Sequence, residues 1–120
     1  MRRVLFLVLM LLALGSPSGF GQNSLIVLEK VVLARSLVGR VVVGEETAAD
    51  NVTVDLCGPD WRTVIASTKT DRDGYFSFKT SEQKTWWVRI SAEGINTMEL
   101  RVRTNKHAAQ DLIIRAVIAT

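Results

Sequence analysis

The residues with the clearest chemical potential lie in the stretch TKTDRDGYFSF, residues 68–78, where two aspartates flank an arginine ahead of a glycine. Carboxylates at alternate positions are typical calcium ligands, so Asp71 and Asp73 are weak candidates for a calcium site. The EF-hand pattern fails, because Gly74 comes too early and no glutamate follows at the required spacing. A tight turn needs only a glycine at positive φ and an aspartate that accepts nearby main-chain N–H groups. We predict such a turn and no bound cofactor. Its structural residues would be Thr70, Asp71, Gly74 and Phe76.

Catalytic chemistry has few residues to use. His107 is the only histidine of the chain, which excludes a zinc site built from several histidines. No serine lies in a G-x-S-x-G pattern, and His107 belongs to the polar turn TNKHAAQ. We therefore predict a non-catalytic protein. The alternative is a small hydrolase that uses His107.

Aromatic side chains and a single thiol are the remaining candidates for contact with a partner. Trp86 has the parity of a core residue, whereas Trp87 has the opposite parity and Trp61 follows the turn CGPD. Trp61 and Trp87 are therefore candidates for a surface contact with a protein or a glycan, unless residues 24–36 cover Trp87. Cys57 is the only cysteine and cannot form an internal disulfide. We expect it to be buried in a monomer, with a Cys57-linked dimer as the alternative.

The first 21 residues have the layout of a secretory signal peptide: Arg2 and Arg3, an apolar run from Val4 to Leu14, and then small residues. The run is shorter than the ~20 apolar residues that span a bilayer. We expect cleavage after Gly21 and a secreted or periplasmic protein without a membrane span; an uncleaved anchor is the alternative. Removing Arg2 and Arg3 from the 15 basic residues leaves 13 against 12 acidic ones, so the charge does not predict nucleic-acid binding.

The elements that would position these residues are strands, because hydrophobicity alternates with period two after residue 36. Short turns separate seven such segments, which predicts an all-β, seven-stranded antiparallel sandwich of two sheets at residues 37–120. Residues 22–36 are predicted to form a leading extended segment, with an edge strand as one interpretation. The predicted strands are residues 37–43, 51–56, 61–70, 75–78, 85–91, 96–104 and 111–117.

The alternation also predicts which side chains face the core and which face water. In residues 96–104, for example, Glu99, Arg101 and Arg103 are expected on the wet face. The residues predicted to face the core are Leu37, Val41, Val43, Val52, Val54, Leu56, Phe76, Phe78, Trp86, Val88, Ile90, Met98, Leu100, Val102, Leu112, Ile114 and Ala116.

Four short motifs, taken in order, resemble the carboxypeptidase regulatory-like domain family of the wider transthyretin-like and Cna-B-like group of sandwiches. The matching residues are Gly39, Val41, Val52, Val54, Thr70, Asp71, Gly74, Phe76, Ser91, Ala92 and Gly94. The chain departs from the family pattern where ETAADN replaces a Pro-Leu-x-Gly element and where Ile95 replaces an aromatic residue.

This resemblance spans about residues 37–117 and implies a non-enzymatic accessory module outside the cytoplasm, with an envelope protein or glycan as partner. Transthyretin-like hydrolases resemble the same fold but use a histidine cluster, which this chain lacks. A calcium-stabilised adhesion module is a further alternative.

Overall fold

The computed structural model describes residues 24–119, which form strands joined by turns. The predicted signal peptide at residues 1–21 lies outside this described range. Between residues 24 and 119 there is no helix of the length and apolar character needed to cross a membrane. The strands are β1 (Leu25–Val27), β2 (Val32–Ala34), β3 (Val38–Val43), β4 (Thr47–Ala48), β5 (Thr53–Cys57), β6 (Val64–Lys69), β7 (Tyr75–Ser77), β8 (Thr85–Ser91), β9 (Thr97–Thr104) and β10 (Leu112–Ala116).

These strands form two sheets, so the prediction of an all-β, two-sheet fold is confirmed, whereas the predicted number of seven strands is wrong. The large sheet has the order β1-β9-β8-β5-β6, with β2 also paired to β9. The small sheet has the order β10-β3-β4, with β7 also paired to β3. The prediction of a purely antiparallel fold is wrong as well, because β1 and β2 run parallel to β9 and β10 runs parallel to β3. Alternation with period two is the same for both strand directions, so the sequence pattern could not distinguish them.

One hydrophobic core lies between the sheets and is built from alternate residues of each strand. In β8, Trp86, Val88 and Ile90 are buried, as their parity predicts. All the residues predicted to face the core are buried or partly buried and packed against it. Trp86 is held further by a hydrogen bond, because its Nε1–H donates to Oγ1 of Thr104 at 3.1 Å.

The leading segment is extended where the structure describes it. It forms β1 and β2, which pair with β9 at the edge of the large sheet. Ile26 and Val32 pack against the core, and Ala34 is fully buried. The strand predicted at residues 61–70 begins later, at Val64, because the preceding residues form a turn in which the Gly58 N–H donates to the Thr63 carbonyl at 2.8 Å.

Candidate functional site

The predicted calcium or turn motif forms a tight turn between β6 and β7. Oδ1 of Asp71 accepts two main-chain hydrogen bonds, from the N–H of Asp73 and the N–H of Tyr75, each at 2.9 Å. The Gly74 N–H donates to the Asp71 carbonyl at 2.9 Å, and Gly74 has φ of +82°. Phe76 then enters the core, where its ring meets that of Phe78 edge to face at 6.2 Å. The aspartate therefore stabilises the backbone of the turn.

Thr70 connects this turn to the loop between β4 and β5. The Thr70 side chain is buried, and its hydroxyl donates to the Ala49 carbonyl at 2.6 Å while accepting the Val52 N–H at 2.8 Å. Main-chain hydrogen bonds join the same two segments: the Thr70 N–H donates to the Val52 carbonyl, and the Asn51 N–H donates to the Thr70 carbonyl. The threonine of the motif thus fixes a loop that has no regular pairing of its own.

Arg40 places a positive charge beside the main chain of the turn. Nε of Arg40 donates to the main-chain carbonyl of Asp73 at 3.0 Å, and the guanidinium lies 5.5 Å from the ring centre of Tyr75. A positive charge on that carbonyl opposes binding of a second cation there. Among residues 24–119, no three His, Cys, Asp or Glu side chains are grouped so that they could hold a metal ion. The hydrogen bonds of Asp71 and Gly74 form a structural turn at residues 71–75.

Of the two tryptophans proposed as surface contacts, Trp87 lies on β8 with outward parity and Trp61 lies in the turn between β5 and β6. Trp61 is half-buried and has φ of +66°, a strained value for a bulky residue. Its carbonyl accepts a hydrogen bond from Nη1 of Arg89 at 3.0 Å, which fixes the loop over β8. Trp87 is also half-buried and is paired laterally with Cys57 on β5 and with Arg101 on β9.

Residues 24–36 do not form a strand over Trp87. Strands β1 and β2 lie in the plane of the large sheet, on the far side of β9 from β8. The guanidinium of Arg101 donates to the main-chain carbonyl of Glu29, which connects the leading segment to the outer face. Neither tryptophan presents a fully open ring to solvent.

Glu99 was predicted to face water, and this prediction is wrong. It has the outward parity of its strand but is only 9% exposed. Nη1 of Arg89 lies 3.5 Å from its Oε2, and that same Arg89 nitrogen binds the Trp61 loop. The carboxylate is therefore covered at the centre of the sheet face, where neighbouring strands and the loop exclude solvent.

Cys57 is buried at the end of β5, as expected. Burial raises the pKa of the Cys57 thiol above its ordinary value of 9.0, and the neighbouring Arg89 guanidinium opposes this shift. The carboxylates of Asp55, Glu99 and Asp60 add smaller contributions that raise the pKa further. A buried, protonated thiol is a poor nucleophile, so Cys57 has the environment of a structural residue.

His107 lies on an exposed turn between β9 and β10. Its main-chain N–H donates to Oδ1 of Asn105 at 2.9 Å, and the Ala108 N–H donates to the Asn105 carbonyl at 2.8 Å. Asn105 therefore organises this turn, and the histidine follows it as an exposed residue.

The structure adds a surface that the sequence reasoning missed, on the outer face of the small sheet. A groove of about 390 Å³ runs over β3, β7 and β10. Three exposed apolar residues line it: Val38 is 45% exposed, Tyr75 52% and Ile113 54%. Arg40 and Asp111 supply charged groups at the same groove. The signal was present in the sequence, because Val38 and Ile113 are apolar residues at positions whose parity faces away from the core.

The comparisons with known proteins leave the fold as the firm assignment. No family model matches the chain, and no curated protein is significantly similar to it in sequence. The molecule is an all-β, two-sheet domain of about 96 described residues.

Proposed function

We propose that this protein is a non-catalytic binding module of the cell envelope, outside the cytoplasm, and that it binds its partner through the groove on the small sheet. The observation that carries the proposal is the concentration of Val38, Tyr75 and Ile113 at one groove of about 390 Å³. A contiguous apolar patch rimmed by polar residues is typical of an interaction site, whereas single exposed apolar residues are ordinary.

An envelope protein fits this groove better than a glycan does. Sugars stack on open aromatic rings, and one face of the Tyr75 ring already has the Arg40 guanidinium 5.5 Å from its centre. Val38 and Ile113 offer branched aliphatic groups, which pack against the apolar side chains of a protein. Arg40 and Asp111 would then fix the orientation of the bound segment through hydrogen bonds at the rim.

The location and the family are part of the proposal and rest on the sequence. The basic and apolar start of the chain is typical of a secretory signal, and the four ordered motifs resemble carboxypeptidase regulatory-like domains. The structure supports the resemblance to this extent: Thr70, Asp71, Gly74 and Phe76 of the motif act together in one structural turn.

Binding to envelope proteins can be tested with a matched pair of variants. Tyr75→Ala removes the aromatic side chain from the groove, and Ile65→Ala removes a similarly exposed apolar side chain, 60% exposed, from β6 in the other sheet. We expect Tyr75→Ala to weaken capture of the partner from an envelope extract by about tenfold or more, as at an interface hot spot. Equal capture by both variants, with unchanged melting temperatures, would overturn the groove as the binding site.

A hydrolase that uses His107 predicts a different result. His107→Ala would abolish any hydrolytic activity of the purified protein under that alternative, whereas the binding module retains partner capture in the same variant. A hydrolytic activity that the wild type has and His107→Ala lacks would contradict the non-catalytic proposal.

A further inference from the structure

The edge of the small sheet is open at β10. This strand pairs with β3 along one side, and among residues 24–119 no strand pairs with its other side. In a parallel pair, alternate main-chain N–H and C=O groups point away from the partner strand, so β10 presents unpaired groups at this edge. Edge strands are usually protected by proline, charged side chains or a covering loop. β10 contains no proline and one charged residue, Arg115, and the loop at residues 94–96 bonds the chain after the strand, at Val117 and Ala119.

The outward face of this edge carries a self-complementary pattern. Asp111, Ile113 and Arg115 alternate along the chain, so they share the face opposite to the buried Leu112 and Ile114. If two copies of β10 pair antiparallel with Ile113 opposite Ile113, each Asp111 lies opposite Arg115 of the other copy. Two reciprocal ion pairs then flank an apolar centre, which is the arrangement that a twofold-symmetric interface requires.

We propose that this edge binds a second copy of the same chain, with β10 paired to β10 about a twofold axis at Ile113. The small sheets of the two copies then form one continuous sheet. The proposed dimer differs from the monomer that we expect from the sequence. It does not depend on the proposed binding function, although Asp111 and Ile113 belong to both surfaces.

Both charged residues already have partners, and Nη1 of Arg115 also donates to the Glu45 carbonyl at 3.0 Å. Nη1 of Arg35 lies 3.5 Å from Asp111, and Nη2 of Arg115 lies 3.5 Å from Glu46, and both pairs are exposed to solvent. Exposed pairs of this kind contribute little to stability, so they can rearrange or be shared at small cost.

A cleft beside the β10 edge offers apolar surface that a second copy could bury. An apolar cleft of about 380 Å³ separates β10 from the edge of the large sheet, where Ile26, Leu28 and Val32 line it. A second copy paired to β10 would cover the open side of this cleft. Because only one short strand edge is involved, the interface is small, and such interfaces associate weakly.

A charge-swap experiment tests both the partner and the register. Protein recovered from expression of the full-length chain would be studied by sedimentation equilibrium from about 10 µM to 1 mM, the range of a weak association. Asp111→Arg alone and Arg115→Asp alone should each weaken dimerisation by about tenfold or more, because symmetry turns two attractive pairs into two repulsive ones. The double variant with both changes should recover the dimer, because the charges are then exchanged and complementary again.

The outcomes test dimerisation and the pairing of Asp111 with Arg115 separately. A wild-type protein that stays monomeric throughout the range overturns the proposal. A dimer that is unaffected by the single reversals, or that the double variant fails to recover, overturns the pairing of Asp111 with Arg115. Glu46→Gln is the control, because it removes the carboxylate of the present ion pair of Arg115, keeps the bond from Arg115 to the Glu45 carbonyl, and should leave the dimer in place.

Crosslinking gives a second and independent test. Ile113→Cys places a thiol at the proposed axis, so a short bis-maleimide should join two copies, whereas buried Cys57 alone should not react. Tyr75→Cys is the matched control, because Tyr75 is similarly exposed on the same sheet but lies on β7, away from the edge. Equal crosslinking of both variants would indicate random collision and would overturn the proposed axis.

Discussion

Replacing Gly74 with alanine should separate two reasons for a glycine in the 70–76 turn. The first reason is conformational, because Gly74 has φ of +82° and a residue with a Cβ loses roughly 1–2 kcal/mol in the left-handed region. The second is steric, because a Cβ on Gly74 would lie 2.6 Å from the Val41 carbonyl oxygen and 3.2 Å from the Ala49 nitrogen. Both neighbours are main-chain atoms, so neither can rotate away.

The steric part can be estimated from the hydrogen bonds that meet at this point. The Val41 N–H donates to the Gly74 carbonyl at 2.8 Å, and the Ala49 N–H donates to the Val41 carbonyl at 3.0 Å. Moving the turn away from β3 lengthens both bonds, each with a net value of about 0.5–1.5 kcal/mol. Together with the strain, Gly74→Ala should cost about 2–5 kcal/mol, a large share of the ~5–15 kcal/mol that stabilises a typical domain.

Gly94→Ala is the matched control. Gly94 has φ of +88°, almost the same conformation, but a Cβ there would meet nothing within 4 Å. It should therefore cost only the strain, about 1–2 kcal/mol. Urea denaturation followed by tryptophan fluorescence gives both free energies of unfolding, and equal m-values would show that the unfolding transition is the same. A difference between the two variants below about 0.5 kcal/mol would refute the close approach of the turn to β3, since surface changes typically stay within that limit.

Three further outcomes follow from the same turn and from the buried thiol. Thr70→Val should destabilise the fold by about 1–3 kcal/mol for each main-chain group left unpaired, at Ala49 and Val52, whereas Thr70→Ser keeps the hydroxyl; equal losses in denaturant titrations would contradict its bridging role. The melting temperature should be the same in ~10 mM CaCl₂ as in MgCl₂ or EDTA. A true calcium site would raise the free energy of unfolding by ~1.4 kcal/mol when the calcium concentration is ten times its Kd. A calcium-specific rise in melting temperature that Asp73→Asn removes would show that the turn binds calcium. Burial raises the pKa of Cys57 in the folded protein, so the thiol ionises at lower pH in the unfolded chain; its stabilising contribution is full below the ordinary pKa of 9.0 and is lost as pH rises through the folded value. Between neutral and alkaline pH, the Cys57→Ala variant should therefore lose less stability than the wild type does. Identical pH profiles of the two proteins would contradict this.

The alternation of the sequence was sufficient to assign the core residues, because side chains on the inner face of each strand are buried between the sheets. Trp86, Val88 and Ile90 needed no knowledge of the neighbouring strands to be assigned to the interior. The partner and direction of each strand depend on long-range pairing, which period two does not encode. The period-two pattern therefore could not predict the parallel pairing of β10 with β3 or of the leading segment with β9.

The candidate site shows a second kind of limit. Glu99 and Val42 both have the parity of the wet face, yet both are buried. Parity assumes that the outer face of a sheet meets solvent, and this fails wherever a loop or a long side chain covers that face. At Glu99 the cover includes the loop held by Arg89 to the Trp61 carbonyl, and nothing local in the sequence predicts that contact.

The motif at residues 70–76 has a structural role in the fold. The side chains of Thr70 and Asp71 bond main-chain atoms, and Gly74 lies where a side chain would meet the main chain, so all three have roles within the fold. Residues available for a partner are those with no such internal role, such as Val38, Tyr75 and Ile113, whose side chains are exposed. Thr70 and Asp71 therefore stabilise the scaffold, whereas the apolar residues at outward positions form the surface on which binding can be tested.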